Sequence, residues 1–275
     1  IRLSLVGSEM CIRDRGGGIT CDMTGFIAST FLRGVNFVLV PTTLLSQVDA
    51  SIGGKTGVNH KGFKNMIGTF NQPVQVIIDT KFLKSLSKLE IQCGLMEVIK
   101  HGLISDKSFF VWLEKNLKQI LSLKPQFIER AIKRSIEIKA DVVSKDEKEN
   151  GLRAILNFGH TFGHALETIG NNKLYTHGEA VALGMLAATK LSESISDLDP
   201  KVFDRVHSTI KNTGIKVKLK KKIFPKKLIK LMQSDKKKNN SQLKFILLEK
   251  IGKAKIKSVS NEVAIENAIK NSLFY

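Results

Sequence analysis

Between Arg153 and His164 the chain places a guanidinium, the Asn157 amide and two imidazoles, His160 and His164, within twelve residues. On a helix His160 and His164 share a face one turn apart, so either or both could reach a metal ion. Four of the six histidines (His101, His160, His164 and His177) fall in apolar, glycine-containing stretches of helical period. A lone core histidine is commonly just hydrogen-bonded, but this clustering points to a metal. Glu97, Glu167 and Glu179 are the carboxylate candidates. Spacing does not choose among them, because Glu97 and His101 are themselves an i,i+4 pair.

Two glycine-rich segments suggest phosphate chemistry. Gly16-Gly17-Gly18-Ile19-Thr20-Cys21-Asp22 could set backbone N–H groups and a helix N-terminus against a pyrophosphate. It departs from the dinucleotide fingerprint, with Cys21 where glycine belongs and no acidic residue about twenty positions on. In Ser51-Ile52-Gly53-Gly54-Lys55-Thr56-Gly57 the first glycine of a Walker A loop falls on Asp49, which rejects a kinase-like P-loop. What remains is a loop with Lys55 as a point charge for a phosphate, supported by Lys61, Lys64 and Asn65.

The elements that must position these residues follow from hydrophobic period. A helical stretch runs from Asp22 to Leu32, an apolar strand from Val35 to Val40 closed by Pro41, and a helical segment from Thr42 to Val48. The glycine-rich loop from Ser51 to Asn59 follows, and Val74 to Ile78 reads as a buried parallel strand. Helical periods then dominate at 88–103, 108–121, 125–143, 160–169, 177–194 and 200–212. Leu243 to Leu248 and Lys253 to Val259 read as a small hairpin before a last helix from Asn261. The expected fold class is an α/β Rossmann-like part, incomplete at its front (residues 16–80), joined to a mostly α-helical domain with a C-terminal hairpin (81–275).

Residues 1–15 fit this pattern poorly. The strand expected before Gly16 ends in Arg13-Asp14-Arg15, and the string resembles a translated sequencing-adapter tail, so residues 1–15 are expected to be foreign.

Composition narrows the function classes. The 275 residues are 42% hydrophobic, enough for a real core, and no window holds eighteen consecutive apolar residues. No membrane span is expected. Cys11, Cys21 and Cys93 lack CxxC spacing, which excludes a disulfide framework and fits a reducing cytoplasm. The net charge of +19 raises nucleic acid as a partner, but residues 201–260 hold 19 Lys and Arg against three acidic residues. Only Phe203, Phe224 and Phe245 interleave there, too few aromatics for nucleic-acid binding. Runs such as Lys220-Lys221-Lys222 read as a solvated face.

Taken in order, several motifs resemble one family, the 3-dehydroquinate synthases. They are Gly16 to Asp22, Gly25-Phe26-Ile27-Ala28, Arg33-Gly34, Pro41-Thr42-Thr43-Leu44-Leu45, Val48-Asp49, Gly53 to Asn59 and Lys64-Asn65. They continue through Gln72-Pro73, Glu97-Val98-Ile99-Lys100, Arg153, Asn157 to Glu167 and His177-Gly178-Glu179-Ala180-Val181, covering nearly the whole chain after residue 15.

The resemblance implies an NAD-binding N-terminal domain, a helical C-terminal domain and an active site in the cleft between them. It implies Glu97, His160 and His177 as ligands of a divalent metal, zinc or cobalt. The implied reaction converts the phosphorylated small molecule 3-deoxy-D-arabino-heptulosonate 7-phosphate to 3-dehydroquinate and phosphate, in the shikimate route to aromatic amino acids. NAD⁺ oxidises C5 transiently, phosphate is eliminated, the ketone is re-reduced, and the ring opens and recloses by an intramolecular aldol step.

By the same resemblance Lys55, Asn65, His164 and Arg33, the last from a neighbouring subunit of a homodimer, surround the phosphate. Lys100, Lys139, Arg153, Asn157 and Asp49 position the rest of the substrate, and Lys236 or Lys237 closes over it. NAD meets Gly17, Gly18, Ile19, Thr20, Cys21, Asp22, Thr42, Thr43, Lys55, Lys64 and the turn Phe82-Leu83-Lys84-Ser85. Cys21 in place of a small glycine is expected to crowd the pyrophosphate turn, at about 1 kcal/mol if its φ is positive. Met96 stands for a usual alanine beside Leu95, an exchange of volume between neighbours. The family's first strands are missing, so weak NAD binding is expected. The alternatives are an inactive fragment and a related sugar phosphate cyclase.

Overall fold

The computed structural model describes residues 11–60, 63–171, 173–236 and 243–273. The chain forms two compact units, Ile1–Ile91 and Gln92–Tyr275, dividing later than the expected boundary at residue 80.

In the first unit strand β1 (Cys11–Gly16) leads through helix α1 (Gly18–Thr30) to strand β2 (Asn36–Pro41), which pairs parallel with β1 from Cys11↔Asn36 to Gly16↔Pro41. Cys21 and Ala28 of α1 pack on Phe37 and Leu39 of β2 as a small core, with Ile12, Val35 and Val76 at its edge. Residues 11–15, expected to be foreign, thus occupy the strand of this βαβ unit, with Asp14 buried. Strands β3 (Lys55–His60) and β4 (Phe63–Phe70) form an antiparallel hairpin. The hairpin is fastened to α1 by Thr69 Oγ1 donating to Ser29 Oγ (3.0 Å) and Asn71 Nδ2 to the Gly25 carbonyl (3.2 Å). Strand β5 (Gln75–Val76) closes the parallel sheet in the order β1-β2-β5.

Three expectations are corrected here. The segment read as a glycine-rich loop to Asn59 becomes strand from Lys55, because β4 supplies a partner that local pattern does not reveal. The run read as a buried strand over 74–78 is a two-residue edge strand with Val74 and Ile77 exposed. The helical segment expected over 42–48 is present from Leu44 but runs to Ala50, most of it as the π-helical turn Ser46–Ala50.

The second unit takes in most of α2 (Lys88–Ser105), then α3 (Lys107–Leu121), α4 (Pro125–Lys145), α5 (His160–Ile169), α6 (His177–Ser196), α7 (Lys201–Asn212) and α8 (Pro225–Lys236). The hairpin β6 (Lys244–Lys250) and β7 (Lys253–Ser258) and helix α9 (Glu262–Leu273) complete it. Helix α6 is buried nearly all round, from Gly178 to Ser192, and packs on α5, α9 and β6, as an apolar helix must. Among the described residues no helix is long and apolar enough to cross a membrane. Cys11, Cys21 and Cys93 are free thiols.

Candidate metal centre

Glycines bring three helices close enough for their side chains to converge. A Cβ on Gly178 would lie 2.3 Å from Cys93 Cα, so the first turn of α6 sits directly on α2, one turn before Glu97. Gly159 caps α5 with φ +81, and a Cβ there would lie 2.7 Å from the Met185 backbone N of α6. Only glycine meets both demands. The residues next to these two glycines are His177 and His160.

His160 Nε2 and His177 Nε2 lie 3.6 and 3.5 Å from Glu97 Oε1, and the two rings are 5.5 Å apart between centroids. Each Nδ1 faces an acceptor: the Phe158 carbonyl at 3.2 Å for His160 and Glu167 Oε1 at 3.4 Å for His177. A carbonyl and a carboxylate only accept, so both Nδ1 atoms donate. That orients both Nε2 atoms toward Glu97.

Glu97 is fully buried, and both its oxygens lack a hydrogen-bond partner among the described residues. Its ion partner is the buried Lys100 ammonium. Burial favours the neutral carboxyl, but Lys100 and the two imidazoles together hold it well below the usual carboxylate range. Burial and then Lys100 push His160 down to about 3. Burial opposes charge on His177 too, but the carboxylates of Glu167, hydrogen-bonded at Nδ1, and of Glu97, close to Nε2, outweigh it and raise the ring to about 9. A metal ion bound there releases that proton.

The donor set fits a divalent metal. Oε1 of Glu97 and Nε2 of both histidines converge within 4.8 Å of one another, and one carboxylate with two imidazoles suits Zn²⁺ or Co²⁺ with positions left open. Of the carboxylates that spacing left open, Glu97 is central, Glu167 stands behind His177, and Glu179 caps α6. His101 is buried on α2, outside this trio.

His164, one turn along α5, sets its ring perpendicular to that of His160 at 5.4 Å. Lys139 of α4 and Arg153 of the 3-10 turn Leu152–Asn157 are buried cations. Arg153 Nη1 donates to the Glu147 carbonyl, and Asn157 Nδ2 donates to Glu149 Oε1 at 2.6 Å. The segment entering this turn is held by Asp146, whose carboxylate accepts from the backbone N–H of Asn150, Gly151 and Arg153 at 2.8–2.9 Å. Sequence reasoning missed Asp146 and left the role of Glu167 unassigned. The first has no motif, and the second was visible only as one of three equal candidates. Lys237 lies outside the described residues, and the side chain of Lys236 likewise.

In the first unit Gly17 is the extended residue before α1, and Gly18 to Asp22 form its first turns. A Cβ on Gly17 would meet Thr43 Cγ2 at 3.3 Å, so the glycine run and the Thr42-Thr43 pair adjoin, as two halves of one cofactor site would. Cys21 corrects an expectation. It is helical, its N–H donating to the Gly17 carbonyl at 3.1 Å, and its thiol points into the core. It is absent from the positive-φ residues and crowds no turn. Burial, with Asp14 beside it, pushes the thiol pKa well up.

Asn65, at φ +48 on β4, donates to Asp22 Oδ2 at 3.2 Å, which joins a residue expected at phosphate to one expected at NAD. Lys55 opens β3, exposed, and Asp49 lies in the turn Ser46–Ala50. Arg33 follows α1 at φ +66, exposed. Lys64 is on β4, its side chain outside what is described. Phe82, Leu83, Lys84 and Ser85 lie in the 3-10 turn Thr80–Ser85; Leu83 is buried, and the Arg15 guanidinium lies 4.8 Å from the centroid of the Phe82 ring.

Comparison with known proteins gives concordant matches. Residues 6–93 match the family profile described as 3-dehydroquinate synthase N-terminal, and residues 94–238 that described as 3-dehydroquinate synthase C-terminal. A 3-dehydroquinate synthase of Nitrosomonas europaea is 49% identical over 239 residues, 87% of this chain and 64% of that protein. One from Thermoanaerobacter pseudethanolicus is 46% identical over 247 residues, 90% of this chain and 69% of that protein. The chain thus spans about two thirds of the length of the curated relatives it matches. Among solved structures, 2-epi-5-epi-valiolone synthase from Streptomyces hygroscopicus subsp. jinggangensis, with NAD⁺ and Zn²⁺ bound, superposes with a TM-score of 0.88 at 27% identity, over 98% of this chain and 76% of that one. A 2-deoxy-scyllo-inosose synthase complexed with carbaglucose-6-phosphate, NAD⁺ and Co²⁺ gives 0.85 at 27% identity, over 98% and 77%.

Proposed function

The chain belongs to the 3-dehydroquinate synthase family, and we propose that it converts 3-deoxy-D-arabino-heptulosonate 7-phosphate to 3-dehydroquinate and phosphate. The reaction class is a phosphate-eliminating carbon–oxygen lyase, and the proposed setting is a cytoplasmic homodimer. The single observation that carries the reading is the convergence of Glu97 Oε1, His160 Nε2 and His177 Nε2 on one buried point.

When bound there, Zn²⁺ or Co²⁺ would supply Lewis acidity to substrate hydroxyls, and NAD⁺, held at the glycine run beside Thr43, would accept and return a hydride. The chain's own residues do the rest. Lys100 holds Glu97 ionised and presents a buried cation to the substrate. His164 offers or takes a proton one turn from His160. Arg153 and Lys139 meet the substrate carboxylate, Arg153 as a fork held by the Glu147 carbonyl and Asn157 as a neutral donor beside it. Lys55, Asn65, Asp49 and Arg33 keep the roles that the resemblance gives them.

The test supplies the full chain with Zn²⁺ or Co²⁺, NAD⁺ and the heptulosonate phosphate, and follows inorganic phosphate and product mass. Phosphate release without net NADH is expected, and chelation abolishes it. Turnover of sedoheptulose 7-phosphate alone would assign a valiolone-type cyclase instead. A lasting rise at 340 nm would assign a dehydrogenase, and metal binding without any turnover an inactive fragment.

A further inference from the structure

We propose that Lys220 is a positioning residue for His177, an inference that rests on Glu97, His160 and His177 holding a divalent metal. From the sequence Lys220 belongs to a solvated basic run. In the structure its ammonium donates to the Leu174 carbonyl at 2.8 Å and to Glu179 Oε2 at 2.8 Å, and its backbone N–H donates to the Tyr175 hydroxyl at 3.0 Å. The neighbouring Lys221 ammonium donates to the Ile169 carbonyl, the last residue of α5, at 3.3 Å.

Glu179 Oε2 also accepts from the Thr176 backbone N–H at 2.8 Å and its hydroxyl at 3.0 Å, which forms the capping box of α6. One carboxylate oxygen therefore gathers the cap of α6 and the ammonium of Lys220. His177 lies between Thr176 and Glu179, so the ring's placement is set by this turn. The dilysine straps the α5–α6 connection at both ends, and α5 and α6 each begin with a histidine of the centre.

Charge alone predicts the opposite of positioning. Removing a nearby cation lowers electrostatic repulsion toward an incoming divalent ion, so a pure charge effect strengthens metal binding. Positioning weakens it. The experiment titrates Co²⁺ into the full chain and reads the d–d absorption, with thermal unfolding in parallel. Lys220→Met is expected to bind Co²⁺ about tenfold more weakly with a shifted band, while Lys222→Met, an equal change of charge at an exposed site, leaves both unchanged. Should Lys220→Met give no cooperative unfolding transition, Tyr175→Phe carries the same expectation of weaker Co²⁺ binding with no change of charge, because it removes the hydroxyl that accepts from the Lys220 backbone N–H.

Wild-type affinity and spectrum in Lys220→Met, or an equal loss in Lys222→Met, would overturn the assignment of Lys220 alone. Failure of the wild-type chain to bind Co²⁺ would overturn the metal centre with it.

Discussion

His177 donates through Nδ1 to Glu167 Oε1 across 3.4 Å, with its Nε2 left facing Glu97. Glu167 thereby fixes both the tautomer and the rotation of a ring 30% exposed at its side chain, which packing alone would not lock. Glu167→Ala is expected to weaken Zn²⁺ or Co²⁺ binding by about 10- to 100-fold, and Glu167→Asp by less. Metal titration by calorimetry checks this. Equal affinity in Glu167→Ala would mean that the start of α6 holds the ring unaided.

The close contact between Gly178 and Cys93 makes a stability prediction. In Gly178→Ala the new Cβ meets a backbone atom at 2.3 Å, which no side-chain rotation relieves, so α2 and α6 must move apart. A loss of about 1–3 kcal/mol is expected in urea unfolding, with weaker metal binding because Glu97 and His177 separate. Gly151→Ala, where nothing lies within 4 Å, is the matched control and should change little.

How far the sequence reaches is visible at these residues. Apart from α8 (Pro225–Lys236), which no period was read to predict, the helices of the second unit fall close to where period placed them, because an amphipathic pattern is local. Which carboxylate joins His160 and His177 is not local, since Glu97 lies on α2, far along the chain from both histidines, and α2 reaches α6 through contacts such as that of Cys93 with Gly178. Resemblance, not spacing, supplied Glu97. Cys21 was misread because a glycine fingerprint was laid over what is the first turn of α1. Lys220 looked like any member of a lysine run, since its acceptors, the Leu174 carbonyl and Glu179, come from another segment.

Arg13-Asp14-Arg15 broke the expected apolar strand, and the structure explains how it is accommodated. Arg13 and Arg15 point outward on β1, and Asp14 is the buried member at 4% exposure. Its Oδ1 accepts from Thr24 at 3.3 Å, but its Oδ2 has no hydrogen-bond partner among the described residues. A buried unpaired acceptor costs about 1–3 kcal/mol, and valine suits a parallel strand facing a helix. Asp14→Val should therefore raise the unfolding free energy by about 1–2 kcal/mol, read from the urea midpoint of the full chain. A lower midpoint would mean that Asp14 contributes more through Thr24 and Cys21 than its orphaned oxygen costs.

Asp146 makes the stability of the fold depend on pH. Its carboxylate accepts three backbone N–H groups around the segment that carries Arg153, and bonds from Arg153 and Asn150 foremost hold its pKa below the ordinary 3.8. The folded state therefore favours the ionised form. For such a group the stabilising contribution is complete above the unfolded pKa and disappears as pH falls through the lowered folded value. Asp146→Ala should be less stable than wild type at pH 7 by an amount that stays constant down to about pH 5 and shrinks below pH 4. Urea unfolding of both proteins from pH 7 to pH 3 measures this difference. A gap of undiminished size at pH 3, or one that opens only there, would show that the carboxylate does not act through these three bonds. On the proposed role of Arg153 at the substrate carboxylate, the same variant should raise KM more than it lowers kcat, because Asp146 holds the backbone of Arg153.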